Sequence, residues 1–235
     1  MSRIVTFTGI DDNTDLVALK ELTKKNKYIE IGVLVSLNNT NTGIVNRFPS
    51  FKTIDRAIEL GISLSCHVCG SLARNYIKTG DFTPIREFLG EERVKAFNRF
   101  QFNINGFDNY KVFRIVDDIH IILQVNGDKS WRYYQDMLRA NSDQVERVSM
   151  LSDKSGGTGK LNTFDFVADY DEYIGYAGGI NKDNVMYILG YIDGRNEKKL
   201  SYWIDMESSI RKDDWFSIDL VKEICNEINS FKGLV

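Results

Sequence analysis

Short runs of β-branched and aromatic residues alternate with stretches whose apolar positions recur every three or four residues. Eight apolar runs are read as strands: Ile4–Thr8, Tyr28–Ser36, Ile62–Val68, Arg99–Ile104, His120–Val125, Arg147–Leu151, Tyr173–Ala177 and Ser201–Met206. Between them, helical spacing predicts Asp15–Lys24 through Leu16, Leu19 and Leu22, and Ser50–Leu60 through Phe51, Ile54 and Ile58. A short helix over Ser71–Lys78 leads into Pro84–Leu89, and Lys129–Arg139 follows through Trp131, Tyr134 and Leu138. Asp183–Ile192 carries Val185, Ile188, Leu189 and Ile192, with Gly194 suited to a C-terminal stop. Asp214–Phe231 carries Ile218, Val221, Cys225 and Ile228. Tyr110–Val116 and the segment around Phe164–Ala168 are helices of weaker pattern.

Strands alternating with helices pair in parallel through right-handed crossovers. Eight βα units in 235 residues suit one closed barrel, a fold that takes roughly 250 residues. Residues 1–235 are therefore read as a single (β/α)8 TIM-barrel domain. An open doubly wound sheet alternates in the same way, and often carries a glycine-rich nucleotide turn after its first strand. Phe7-Thr8-Gly9-Ile10-Asp11 is not that turn.

Charge narrows the partners. The formal net charge is −3, and no basic stripe marks a nucleic-acid footprint. The longest apolar runs fall far short of the roughly 18 residues of a membrane span. Met1-Ser2-Arg3 is followed directly by Ile4-Val5-Thr6-Phe7, without the apolar region of a signal peptide. A cytoplasmic chain with neither nucleic-acid nor membrane partner is expected. Three cysteines, an odd number, argue against a disulfide framework. Cys66-His67-Val68-Cys69 has the spacing of half a zinc site, but only His120 and Cys225 remain as further ligands of those types. No metal is expected, and Cys66 reads as a small core residue.

In barrel enzymes the chemistry sits on the loops at the C-terminal ends of the strands. The last three such loops read Ser155-Gly156-Gly157-Thr158-Gly159-Lys160, Ala177-Gly178-Gly179-Ile180-Asn181 and Asp205-Met206-Glu207-Ser208-Ser209-Ile210-Arg211. Glycines let backbone N–H groups approach an anion, and a helix N-terminus adds its positive end. Gly156, Gly157, Thr158, Gly159, Gly178, Gly179, Ser208 and Ser209 are thus the candidate phosphate cup, with Asn181 as a cap for the following helix. Taken singly, each glycine pair also suits a tight turn. A Walker A loop is excluded, because Lys154 stands at its first glycine and Leu161 follows Lys160.

Alternation puts Cys66 and Val68 on one face of the third strand, and His67 and Cys69 on the other. That face offers His67 or Cys69 to the site, or leaves His67 as a rim residue with ordinary hydrogen bonds. Asn103 and Asn105, and Gln124 and Asn126, end the fourth and fifth strands and suit sugar hydroxyls or turns equally well. Glu30 reads as a buried structural residue, and Trp131, Trp203 and Trp215 as packing between barrel and helices.

These motifs resemble those of phosphoribosylanthranilate isomerase, the tryptophan-pathway barrel family. Gly156-Gly157-Thr158-Gly159-Lys160, followed by Thr163-Phe164-Asp165-Phe166, is similar to the family's Gly-Gly-Thr-Gly-Lys-Thr-Phe-Asp-Trp with two extra residues. Ala177-Gly178-Gly179-Ile180-Asn181-Lys182-Asp183-Asn184-Val185 resembles Ala-Gly-Gly-Leu-Asn-Pro-Glu-Asn-Val. Asp205-Met206-Glu207-Ser208-Ser209-Ile210 resembles Asp-Val-Ser-Ser-Gly-Val, and Arg47-Phe48-Pro49-Ser50 resembles Arg-Tyr-Val-Ser.

The resemblance implies a small phosphorylated sugar derivative as partner, no cofactor, and an aldose-to-ketose isomerisation by proton transfer. An acid protonates the ring oxygen while a base removes a proton from the adjacent carbon. The family's base is a cysteine ending the first strand, and Thr8 stands in its place. A threonine hydroxyl is too weakly acidic to act as that base near neutral pH, whereas a thiol titrates near 8.5. The family's acid, an aspartate ending the sixth strand, falls at Ser152 without gaps, with Asp153 one residue on. Arg47 maps to the arginine that holds the substrate's carboxylate, and Asp205 to an aspartate near its amine. Asp153 and Asp205, with Cys69 or His67, are the candidate acids and bases. Three readings follow: an isomerase of this type, another phosphosugar isomerase or lyase, and a barrel that binds phosphate or a partner without catalysis.

Overall fold

The β-branched runs form strands because such side chains pack well on a pleated surface buried on both faces. The computed structural model describes residues 3–103, 110–115, 118–153, 173–196 and 198–230. Its eight barrel strands are β1 (Arg3–Thr8), β2 (Ile29–Val35), β3 (Leu64–Val68), β4 (Phe97–Phe102), β5 (Ile121–Val125), β6 (Val148–Ser152), β7 (Ile174–Ala177) and β8 (Tyr202–Met206). Each runs parallel to its neighbours in chain order, and β8 pairs with β1 to close the barrel, Thr6 opposite Asp205. The fold is a (β/α)8 barrel.

The described helices are α1 (Leu16–Lys25), α2 (Phe51–Glu59), α3 (Gly70–Thr79), α4 (Thr83–Leu89), α5 (Glu91–Ala96), α6 (Asp128–Ala140), α7 (Val185–Arg195) and α8 (Ile218–Ser230). Capping sets their starts: Asp15 accepts hydrogen bonds from the Val17 and Ala18 amides, and Ser50 accepts one from Thr53. None of them is long and apolar enough to cross a membrane.

Several expectations need correction. Residues 110–115 form no helix. Asn141 instead holds this segment as irregular backbone, accepting from the Ile115 amide and donating to the Phe113 carbonyl. The pattern over Asp214–Phe231 overreaches at its start. Asp213 and Asp214 take positive φ, turning the chain through a hairpin of β9 (Arg211–Lys212) and β10 (Trp215–Phe216) before α8 begins. Gly194 lies inside α7, and Asn196 ends the helix. Asn181 does not cap α7: its side chain accepts from the Asp183 amide, and Asn184 is the residue before the first turn. Helix α5 had no counterpart in the pattern. The Phe164–Ala168 helix lies outside the described residues.

Side chains alternate between two environments. Ile31, Cys66, Phe100, Met150 and Ile204 face outward into the main core against the helices. Inside the barrel the filling is largely polar, and Trp203 belongs there with Ile122, Leu151 and Ala177, not between barrel and helices. Trp215 sits partly exposed on the hairpin. Space for the Trp203 indole exists because position 175 is glycine: a Cβ there would lie 2.1 Å from the ring.

The lower interior layer is built on an ion pair. Arg99 Nη2 lies 2.6 Å from Glu30 Oε1, with both side chains only 4% exposed. Thr6 donates to the same oxygen, and the guanidinium lies 4.2 Å above the Trp203 ring. Glu30 is thus buried, held by Arg99 and Thr6. Removing one partner of such a pair strands a charge, at a cost of about 3–5 kcal/mol, whereas removing both is often neutral. Arg99→Met is expected to lose about that much stability in urea unfolding, and Glu30→Met/Arg99→Met to recover most of it. Additive losses in the double variant would contradict this account.

Candidate active site

A cavity opens at the C-terminal end of the barrel, where inward positions near the strand ends meet the following loops. His67 reaches it from β3, Gln101 from β4 and Asn103 just past it, Gln124 from β5, Leu151 from β6 and Asp153 just past it, and Asp205 from β8. Arg47 comes from the loop after β2, Gly178 to Ile180 from the loop after β7, and Glu207 and Ser208 from the loop after β8. Asp153, Asp205, Arg47, His67, Gly178, Gly179 and Ser208 are therefore brought together. Gly156, Gly157, Thr158 and Gly159 lie outside the described residues.

Two carboxyl groups of the cavity are buried, Asp153 at 5% exposure and Asp205 at 8%. The Thr8 hydroxyl donates to Asp205 Oδ1 at 2.6 Å. Thr8 itself is buried behind it and does not line the cavity. Gly32 on β2 makes this possible, since a Cβ there would lie 2.2 Å from the Thr8 hydroxyl and 3.0 Å from the His67 ring. Burial pushes Asp205 up to about 6, despite the Thr8 hydrogen bond and the Arg99 charge, which favour the ionised form. The charge of Asp153 raises it further.

His67 lies with Nδ1 3.9 Å from Asp205 Oδ2. Burial drives the imidazole down to about 3, so it is neutral and the two do not form an ion pair. Gln101 Nε2 can only donate, so its 3.2 Å contact makes His67 Nδ1 the acceptor. The ring proton then sits on Nε2, facing Ser65 Oγ at 3.2 Å. His67 is a fixed neutral group of the lining.

Strand alternation turns Leu151 and Asp153 inward and Val148 and Met150 outward. Asp153, not Ser152, therefore faces the cavity. Gln124 Nε2 donates to Asp153 Oδ2 at 2.7 Å. Cys69 precedes α3 outside the lining: its Sγ accepts from Asn103 at 3.6 Å, and burial pushes the thiol up to about 12. That thiol is protonated near neutral pH, unsuited to act as a base. Asn126 serves the start of α6 through Ser130, a turn role.

After β7, Gly178 and Gly179 take φ of 103° and 67°, the left-handed region open to glycine. The Gly179 carbonyl accepts from the side chains of Asn181 and Asn184. The N–H of that same trans peptide, on Ile180, points the opposite way. After β8, Ser208 lies on the cavity in a short 3-10 turn, while Ser209 is outside the lining, its hydroxyl buried with no hydrogen-bond partner.

Arg47 is already engaged. Its Nη1 lies 2.7 Å from Glu207 Oε1 and its Nη2 2.9 Å from Asp214 Oδ1. Glu207 and Gln101 are lining residues that motif reading missed. The signal for Gln101 was available, since Arg99, Gln101 and Asn103 share the inward face of β4. Glu207 stood inside a recognised motif, but its ion pair with a loop 160 residues away left no trace in local pattern.

No family model matches the chain, and no curated protein matches it. Among solved structures, the chain is similar to phosphoribosyl anthranilate isomerase from Thermococcus kodakaraensis, at 12% identity and a TM-score of 0.54 over 97% of this chain and 99% of that one. N-(5'-phosphoribosyl)anthranilate isomerase from Pyrococcus furiosus is similar at 15% identity and a TM-score of 0.53, covering 97% and 100%. Phospho-2-dehydro-3-deoxyheptonate aldolase from Thermotoga maritima matches at 10% identity and a TM-score of 0.53, covering 97% and 68%. At these identities the likeness establishes the barrel fold.

The raised titration of Asp205 has a stability consequence with a definite sign. Its ordinary value is 3.8, so the folded protein binds this proton more tightly than the unfolded chain. That contribution to stability is present at low pH and is lost as pH rises from about 4 to about 6. Relative to wild type, Asp205→Asn is expected to gain roughly 2–3 kcal/mol between about pH 4 and about pH 7 in urea unfolding. A stability difference that does not change with pH would contradict the assignment.

Proposed function

We propose that this barrel binds a phosphorylated sugar derivative and interconverts its aldose and ketose forms by proton transfer. The observation that carries the reading is one cavity lined both by the Gly178-Gly179 turn with Ser208 and by two buried carboxyl groups, Asp153 and Asp205. The turn and the serine supply donors for a phosphate. The carboxyl groups supply an acid and a base.

Asp153 is the acid in this reading, at the end of β6, delivering a proton to the ring oxygen. Asp205 is the base, removing a proton from the carbon next to the anomeric carbon. The enol-type intermediate then tautomerises to the ketose, so one proton leaves carbon and one reaches oxygen without any oxidant. A carboxylate titrating near 6 is largely ionised at neutral pH, yet its conjugate acid is close enough in strength for effective transfer. Thr8 orients Asp205 through its hydrogen bond. The names of the similar structures, two of which speak of phosphoribosyl compounds, support the substrate class.

A second reading, a barrel that binds without catalysis, is favoured by Thr8 itself, which stands where the resemblance expects a catalytic cysteine. Hydrogen exchange separates the two. In D2O, wild type is expected to exchange the hydrogen next to the carbonyl of a bound ketose phosphate, with a rate that rises through pH about 6 and then levels. Asp205→Asn is expected to slow that exchange by about 100-fold or more. Binding without exchange by wild type would support the second reading. Unchanged exchange in Asp205→Asn would remove Asp205 from the role of base.

Phosphate placement has its own test. Ser208→Asp puts a like charge on the rim and is expected to weaken binding of inorganic phosphate by about tenfold in calorimetry. Unchanged affinity would move the phosphate elsewhere.

A further inference from the structure

We infer that the sugar phosphate bound here carries a basic amine, cationic at neutral pH, and not an aryl carboxylate. This rests on the phosphosugar reading and narrows it to a substrate class.

The charge of the lining points to a cation. Among the described lining residues, three carboxyl groups, Asp153, Asp205 and Glu207, face a single guanidinium, that of Arg47. His67 adds no charge, because it is buried and neutral. Arg47 is already shared between two carboxylates, Glu207 at 2.7 Å and Asp214 at 2.9 Å. Fork-to-fork recognition of a carboxylate needs two free parallel N–H donors. A ligand carboxylate at Arg47 would be a third anion on that guanidinium, in a cavity that also holds Asp153 and Asp205. An ammonium group meets three carboxyl groups there.

A separate observation asks for a donor. Gln101 is 2% exposed and lines the cavity, and its Oε1 has no hydrogen-bond partner among the described residues. In this orientation Nε2 faces His67 Nδ1 at 3.2 Å and donates to Asn103 Oδ1 at 2.9 Å. A buried acceptor left without a donor is costly, and a ligand N–H relieves that cost. The phosphate, by contrast, is received at the Gly178-Gly179 turn and Ser208, where backbone amides and a hydroxyl carry the recognition. The two ends of the ligand thus meet different chemistry.

The test is calorimetric titration of the full chain with four probes: inorganic phosphate, ribulose 5-phosphate, 1-amino-1-deoxyribulose 5-phosphate, and the N-(2-carboxyphenyl) derivative of that amine. The free amine is expected to bind about tenfold more tightly than ribulose 5-phosphate, and the carboxyphenyl derivative more weakly than the free amine. In Glu207→Gln, with folding checked by circular dichroism, the ratio of amine to ribulose 5-phosphate affinity is expected to fall severalfold. Equal binding of the three sugar phosphates, or preference for the carboxyphenyl derivative, overturns the inference while leaving the phosphosugar reading intact. Failure of all four probes to bind overturns the phosphosugar reading itself, and the inference with it.

Discussion

A carboxyl group removed from water needs donors, and the upper part of this barrel is arranged around that need at Asp205. Thr8 supplies a short hydrogen bond from the neighbouring strand. Gly32 supplies the space in which Thr8 and His67 can sit side by side. Arg99, one layer down, contributes a positive field but is itself committed to Glu30. The result is a carboxyl group held in place yet only partly compensated, so that its proton is retained to higher pH than in water. Were Asp205 fully paired, it would be a structural acid. Its incomplete pairing is what makes it a candidate for proton transfer.

Thr8 gains a physical role from this arrangement. A hydroxyl donates a shorter and stronger hydrogen bond to a carboxylate than a thiol does. Where a cysteine on β1 would itself take a proton, a threonine on β1 orients the carboxylate of β8. In the proposed reading the base lies on β8, the strand that pairs with β1. At the rim, Arg47 in the loop after β2 is paired with Glu207 and Asp214.

The barrel was legible because its strands are buried on both faces and so read as dense apolar or β-branched runs with sharp ends. All eight fall within two residues of the runs in the sequence. Helices were less legible where local pattern competes with backbone geometry. Asp213 and Asp214 interrupt an otherwise helical stretch through their left-handed conformation, and Asn141 holds residues 110–115 in an irregular path. In the site, strand alternation offered His67 and Cys69, of which His67 reaches the cavity, and Asp153 and Asp205, taken from the resemblance, reach it too. What sequence could not reveal were long-range partnerships: Thr8 with Asp205, Arg47 with Glu207, and Trp203 in the space beside Gly175. Each joins segments far apart in the chain, and only the closure of the barrel brings them together.

The account turns on Asp205 being a buried carboxyl group whose proton is held near neutral pH by desolvation. Titration of its side-chain carboxyl carbon by 13C NMR, assigned by loss of the signal in Asp205→Asn, measures this directly. The account predicts a midpoint of about 6. A midpoint at or below the ordinary 3.8 would contradict it, and would mean that the carboxylate is fully compensated and structural.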